Sequence, residues 1–344
     1  MLRKSPGPVR TRADAVPVDA SKPVPHRFVR LINEAVHNMR NATEKHVMVA
    51  EHNVALAVCH KVNVLFTSQR TFVDAEALAS QLWSKRFGAD VLDVLVEGGE
   101  LVAVPCQTLA LLTLDETAAK ELLNDDVVGV LCGVLRGVNR GHDVTVCSMC
   151  VRVLENLTHH TQPTAFSTKM RCRVPVISLL FRRLLDELWF LQGCTDHPLE
   201  TPSDGSTNQT SSDDASTEVA KGENATLPDA PLPAETEQRR YRGKQAILFA
   251  KKAVLRILKG LLSIIEVVAR GSTSQKLLAD LERMCQECSD RCWQRKQTEA
   301  GKDADLDDQI AAMHLVETLE RLGRICRNYS VAAKHHESTR DAPV

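Results

Sequence analysis

The sequence predicts an all-α fold of helical units laid side by side, interrupted once by a long acidic segment. Three observations carry that expectation. Apolar residues recur at three- and four-residue intervals over most of the chain, as in "HRFVRLINEAVHNMRNATEKHVMVAEHNVALAVCHKVNVLF", which is the spacing of one helical face. No segment alternates apolar and polar residues between hairpin signals, and aromatic residues make up only 4% of a chain rich in Leu, Val and Ala. Such a chain packs through aliphatic ridges and not through sheet faces. Finally, similar segments recur about 45 residues apart, as a stack of repeats requires.

Taken in order, residues 1–24 read as a disordered basic arm. "MLRKSPGPVRTR" carries four basic residues and no acidic one, the composition of many mitochondrial presequences. Pro6, Pro8, Pro17, Pro23 and Pro25 oppose the amphipathic helix that import usually needs. A cytoplasmic location is therefore expected, with mitochondrial import as the alternative. Residues 25–193 carry helical periodicity with short breaks. Residues 194–240 change character: "TPSDGSTNQTSSDDASTEVAKGENATLPDAPLPAETE" is rich in Ser, Thr, Pro and acids, with Lys221 its only basic residue. It lacks the apolar surface that offsets the entropy of ordering, and reads as a disordered acidic linker. Helical pattern returns over 241–334, resuming near Lys244, and 335–344 reads as a disordered tail.

Within the first helical region, "CQTLALLTLDETAAKELLNDDVVGVLCGVL" aligns with "VRVLENLTHHTQPTAFSTKMRCRVPVISLLFRRL". Leu109 and Leu112 match Leu154 and Leu157 at a spacing of 45. After a one-residue slip, Val128, Val130, Leu131 and Val134 match Val174, Val176, Ile177 and Leu180. Val94 and Leu95 in "VLDVLVEGG" answer Val130 and Leu131, and "EGGE" (97–100) reads as the turn before a helix that tolerates Pro105 in its first turn. This pattern resembles the armadillo repeat family over 72–185, with echoes in "LSIIEVVARGSTSQKLL" and "LVETLERLGRICRN". "VLENLT" is similar to the Ala-Leu-x-Asn-Leu run that closes that family's third helix. The resemblance implies an α-solenoid with a groove lined by third helices, where Asn156 stands at the position of the family's ligand-binding asparagine ladder. Leu111, Val267 and Arg321 stand at the neighbouring ladder positions. A single amide does not hold a long extended peptide in register, so the resemblance implies a binding surface without implying nuclear-signal binding. Asn156 also has a second reading, an amide that closes a helix and ties down the next turn.

Enzyme chemistry has no foothold. The chain carries no phosphate-binding loop, dinucleotide fingerprint, nucleophile elbow or kinase signature, and no catalytic residue, cofactor or metal is expected. His159-His160 chelates poorly, because adjacent helical residues diverge by about 100°. Cys285, Cys288 and Cys292 in "CQECSDRC" share one helix face and read as a packed, reduced seam; the alternative, a redox site or a zinc site completed from Cys147 and Cys150, is disfavoured because both pairs sit in helical pattern and not on knuckle turns. No membrane-length apolar run occurs. The sequon at Asn156, and those at Asn41, Asn208, Asn224 and Asn328, are expected to stay unmodified because no secretory h-region is evident.

Charge supplies the functional clue. Forty-three basic and 44 acidic residues nearly cancel, so no global field calls for nucleic acid or membrane. Locally, however, Arg239, Arg240, Arg242, Lys244, Lys251, Lys252, Arg256 and Lys259 run without an acidic residue among them. Lys252, Arg256, Lys259, Ser263, Glu266 and Arg270 fall three or four apart, one polar stripe on an apolar helix. Two readings of the stripe stay open: a solvated outer face, and a docking face for an acidic partner that the acidic linker screens in cis. The expected function is a non-catalytic protein–protein scaffold. Arg152, Glu155, Asn156 and Arg321 are its groove positions, and Lys252, Arg256 and Lys259 form a second contact with a protein partner bearing an acidic segment. The alternative is an organelle nucleic-acid-binding helical-repeat protein, disfavoured by sparse aromatics.

Overall fold

A computed structural model describes residues 24–69, 71–98, 101–138, 144–196, 234–299 and 306–340. These form thirteen helices and, among the described residues, no strand. In chain order they are α1 (Val24–Asn41), α2 (Lys45–Thr67), α3 (Phe72–Leu82), α4 (Lys85–Glu97), α5 (Ala103–Leu112), α6 (Glu116–Asn124) and α7 (Val127–Val138). Then follow α8 (Val144–His160), α9 (Pro163–Met170), α10 (Val174–Asp196), α11 (Ala234–Gly271), α12 (Gln275–Glu299) and α13 (Leu306–Arg340).

Local chemistry sets the breaks. The side chains of Thr71, Ser84 and Asp115 accept from the backbone N–H three residues on, opening α3, α4 and α6, which satisfies amides the helix itself leaves unpaired. Gly98 ends α4 at φ +72°, a conformation that favours glycine, so the turn expected at "EGGE" does terminate the helix. Pro105 lies in the first turn of α5 and Pro163 opens α9, where a missing N–H costs nothing.

The helices pack as two rows bridged by short connectors. One row runs α2, α5, α8, α11, α13 and the other α1, α4, α7, α10, α12, each member against the next. The short α3, α6 and α9 pack on α5, α8 and α11. Leu109, Leu112, Leu154 and Leu157, the residues that recur at fixed spacing, are all fully buried between the rows. Buried Val128 and Leu131 in α7 answer buried Val174 and Ile177 in α10, whereas Val130 and Val134 are only half-buried where their counterparts Val176 and Leu180 are buried. Burying each such side chain contributes about 1.5–3 kcal/mol. Lateral polar contacts repeat the spacing: Lys169 Nζ donates to the carbonyl of Asn124 at 3.3 Å and Arg173 meets Asp126 at 3.5 Å.

Three helix ends lie beyond their expected limits. α10 continues through Gly193 to Asp196, and α11 starts at Ala234 instead of near Lys244. Pro233 precedes that start, and Glu235 and Glu237 then place negative charge where the helix dipole favours it. α13 runs on to Arg340, through Ala, Lys and Glu residues of good helix propensity. The basic arm up to residue 23, the acidic stretch 197–233 and the last four residues lie outside the described residues.

α11 sits unusually close to its neighbours. A methyl group on Gly260 would lie 2.6 Å from Val151 Cγ1 of α8, and one on Gly271 would lie 2.0 Å from the carbonyl oxygen of Pro163. Ser167 of α9 donates to the carbonyl of Val268 at 3.1 Å in the same buried contact.

Candidate interaction surface

The seven residues singled out from the sequence fall on three consecutive members of one row. Arg152, Glu155 and Asn156 are on α8, Lys252, Arg256 and Lys259 on α11, and Arg321 on α13. α11 lies between the other two, so the chain does bring them to one stretch of the molecule.

Asn156 behaves differently from the others. Its amide nitrogen donates to the carbonyl of Ala110 at 2.8 Å and to Thr113 Oγ1 at 3.0 Å. Ala110 lies in the last turn of α5, where carbonyls lack an intrahelical partner. Asn156 therefore closes α5, and both of its N–H groups are engaged within the molecule. The groove assignment for Asn156 gives way to its structural alternative, because a donor already committed to a helix end is not offered to a ligand backbone. A second asparagine, which the sequence pattern did not flag, plays a matching part. Buried Asn63 of α2 donates to the carbonyl of Val104 at 3.0 Å and accepts from Thr108 Oγ1 at 2.9 Å. The short α5 is thus stitched from both sides. An unexplained Asn inside an apolar helical run was the one available signal.

Glu155, Arg152 and Arg256 line a crevice of about 50 Å³ between α8 and α11. Burial pushes the Glu155 carboxyl above the usual carboxylate range, although Arg256, His159 and Arg152 pull the other way. The folded state therefore holds a proton that the unfolded chain has already released, over a window just above the ordinary carboxylate pKa. Stability gained from this residue is present below that window and lost as pH rises through the folded value. Wild-type protein should consequently gain melting temperature relative to Glu155→Gln between about pH 7 and about pH 5; an unchanged difference across that range would contradict the shift.

Arg321 is exposed but bound in cis: it reaches Glu266 Oε2 of α11 at 3.2 Å, and Glu266 also pairs with Arg270. Lys252, Arg256 and Lys259 are exposed, and none of them forms a salt bridge among the described residues. Lys251, counted with them in the sequence, is instead 95% shielded, with a relative exposure of 5%. It falls on the inward side of the helix, in line with Val254 and Leu258, which are buried with it.

The buried cysteines fall into two groups, one around Cys106, Cys132, Cys147 and Cys150 and one on α12 and α13. Cys285, Cys288 and Cys292 of α12 and Cys326 of α13 are buried, and burial raises Cys288 to about 11 and Cys292 and Cys326 to about 12. Cys106 and Cys150 approach to 3.6 Å as thiols. Thiols held protonated in this way are poor nucleophiles and poor metal ligands. No group of three or more His, Cys, Asp or Glu side chains able to hold a metal occurs among the described residues. His159 and His160 occupy the last turn of α8. No described helix is long and apolar enough to cross a membrane.

No protein-family model and no curated protein matches the sequence. Among solved structures, a chain from "Computational Design of Self-Assembling Cyclic Protein Homooligomers" is similar over 90% of this chain and 95% of its own length, at 9% identity and a TM-score of 0.32. That likeness is too slight to bear on fold or function.

Proposed function

We propose that the protein is a non-catalytic scaffold of armadillo-like repeats that holds an acidic segment of a partner protein along α11. The observation that carries this reading is the contrast between cations. Arg182, Arg270, Arg291, Arg321 and Arg327 all meet carboxylates within the molecule. Lys252, Arg256 and Lys259 stand exposed on successive turns of one helix without such a partner. Lys252 and Lys259, with Arg256 sharing the crevice of the half-buried Glu155, make a weak but oriented site for acidic side chains, with steering that falls off with salt. The recurring lateral contacts and the two-row packing support the repeat architecture, and Arg152 and Glu155 flank the stripe on α8.

The triple variant Lys252→Glu, Arg256→Glu, Lys259→Glu tests the proposal. All three side chains are exposed, so the fold should survive. Affinity for the captured partner should fall by about tenfold or more, and the wild-type complex should weaken as salt rises. Unchanged affinity would return the stripe to a solvated face. Generic RNA titrated over the same salt range checks the nucleic-acid alternative: steep, salt-sensitive binding would favour it.

A further inference from the structure

A second surface lies on the other row. α10 and α12 run parallel, because Arg182 pairs with Glu287 and Asp186 with Arg291 at the same sequence offset of 105 residues. Arg291 also lies over the Trp189 ring, 5.4 Å from its centre. These contacts close the helices together toward their carboxyl ends. Toward their amino ends the helices part, leaving a cleft of about 720 Å³. Val174, Leu277 and Met284, all buried, line it together with Pro175 and Leu179, and Leu179 is 58% exposed.

The rim of this cleft is cationic. Arg171, Arg182, Lys276 and Arg283 line it against one carboxylate, Asp280, which Arg283 already binds at 2.5 Å. Arg171, in the turn before α10, and Lys276, in the first turn of α12, both line the open end and have no carboxylate partner among the described residues. The first turns of α10 and α12 add the positive ends of two helix dipoles there.

We infer that the cleft between α10 and α12 docks an acidic peptide segment of a partner protein, with an aliphatic side chain entering between Leu179 and Met284. Charge complementarity selects the acid, and the apolar lining selects the anchor. From Val174 to Arg182 the α10 wall is about 12 Å long, room for about four residues of extended peptide. Nucleic acid fits less well, because no aromatic side chain lines the cleft for stacking. A small oriented ligand fits less well too, since none of the polar lining residues is buried. This site is separate from the α11 stripe, and it stands or falls without it.

Cys172 supplies the test. It lines the cleft and is the exposed one among the ten described cysteines, so its alkylation by a maleimide in the native full-length chain reports occupancy. The probe is a short synthetic peptide of alternating Asp, Glu and Leu, with a Ser, Asn and Leu peptide as neutral control. The acidic peptide at saturation should slow alkylation about tenfold, and the protection should vanish in about 1 M salt, where charges are screened within about 3 Å. Arg171→Glu with Lys276→Glu should abolish protection while leaving the melting temperature unchanged; Lys252→Glu with Lys259→Glu should leave protection intact. Equal protection by the neutral peptide overturns the proposal, as does protection that survives the Arg171→Glu, Lys276→Glu pair. So does an alkylation rate that is already slow and speeds up on deletion of residues 197–233, which would assign the cleft to the chain's own acidic stretch.

Discussion

Phe166→Ala should destabilise the protein by about 3–5 kcal/mol. Phe166 is fully buried and belongs to the eight-residue α9, which packs on α11 as well as on α7 and α8. Truncating it removes the largest side chain of a short element that has few others to hold it. The neighbouring Ser167 bond to Val268 keeps α9 close to α11, so the hole cannot close by simple approach. That is the condition under which cavity cost adds to lost burial. Urea titration followed by circular dichroism would measure the loss. A change below about 1 kcal/mol would mean that α9 does not seat α11 as described.

Gly271→Ala tests the same junction from the other side, and should cost about 3 kcal/mol. The added methyl group would stand 2.0 Å from the carbonyl oxygen and 2.3 Å from the carbonyl carbon of Pro163, and 2.8 Å from the amide nitrogen of Thr164. All three are backbone atoms, so no rotamer change relieves the overlap. α11 must withdraw from the start of α9. Gly133→Ala is the matched control. A methyl group there meets nothing within 4 Å, and replacing glycine at an exposed position inside a helix should raise stability by about 0.5–1 kcal/mol. Opposite signs for two Gly→Ala changes would place the α9–α11 contact securely; a neutral Gly271→Ala would displace it.

Helices were largely legible in the sequence because their signal is local. A three-to-four-residue apolar rhythm identifies a buried face whatever it packs on, and the 45-residue recurrence of Leu109 and Leu154 announced that α5 and α8 are equivalents. Helix ends were less legible. Ala234 and Arg340 lie where charged helix formers carry a helix past its apolar part, and periodicity is silent there. The candidate site was legible only as charge. Lys252, Arg256 and Lys259 do face outward, whereas Lys251 differs from Lys252 by one position and faces in. Asn156 was legible as a signature but not in direction, because the sequence does not reveal whether an amide points to a ligand or to Ala110. The cleft between α10 and α12 was illegible: its walls come from residues about a hundred positions apart, on either side of a stretch with no repeat signal.

The two-row packing also dictates an order of events during synthesis. Each helix from α2 through α10 has a packing partner that precedes it in the chain, so this part can begin to assemble as the chain emerges. The faces of α8, α9 and α10 that pack on α11 have to wait. The 197–233 stretch alone occupies the ribosome for about 2–7 s at ordinary elongation rates, and α11 must then follow. For that interval an apolar face is open to solvent and to other nascent chains. The acidic composition of the residues emerging at that moment, seven carboxylates against one lysine, surrounds the open face with repelling charge. On this timing the acidic stretch would act as a solubility shield for the half-made core.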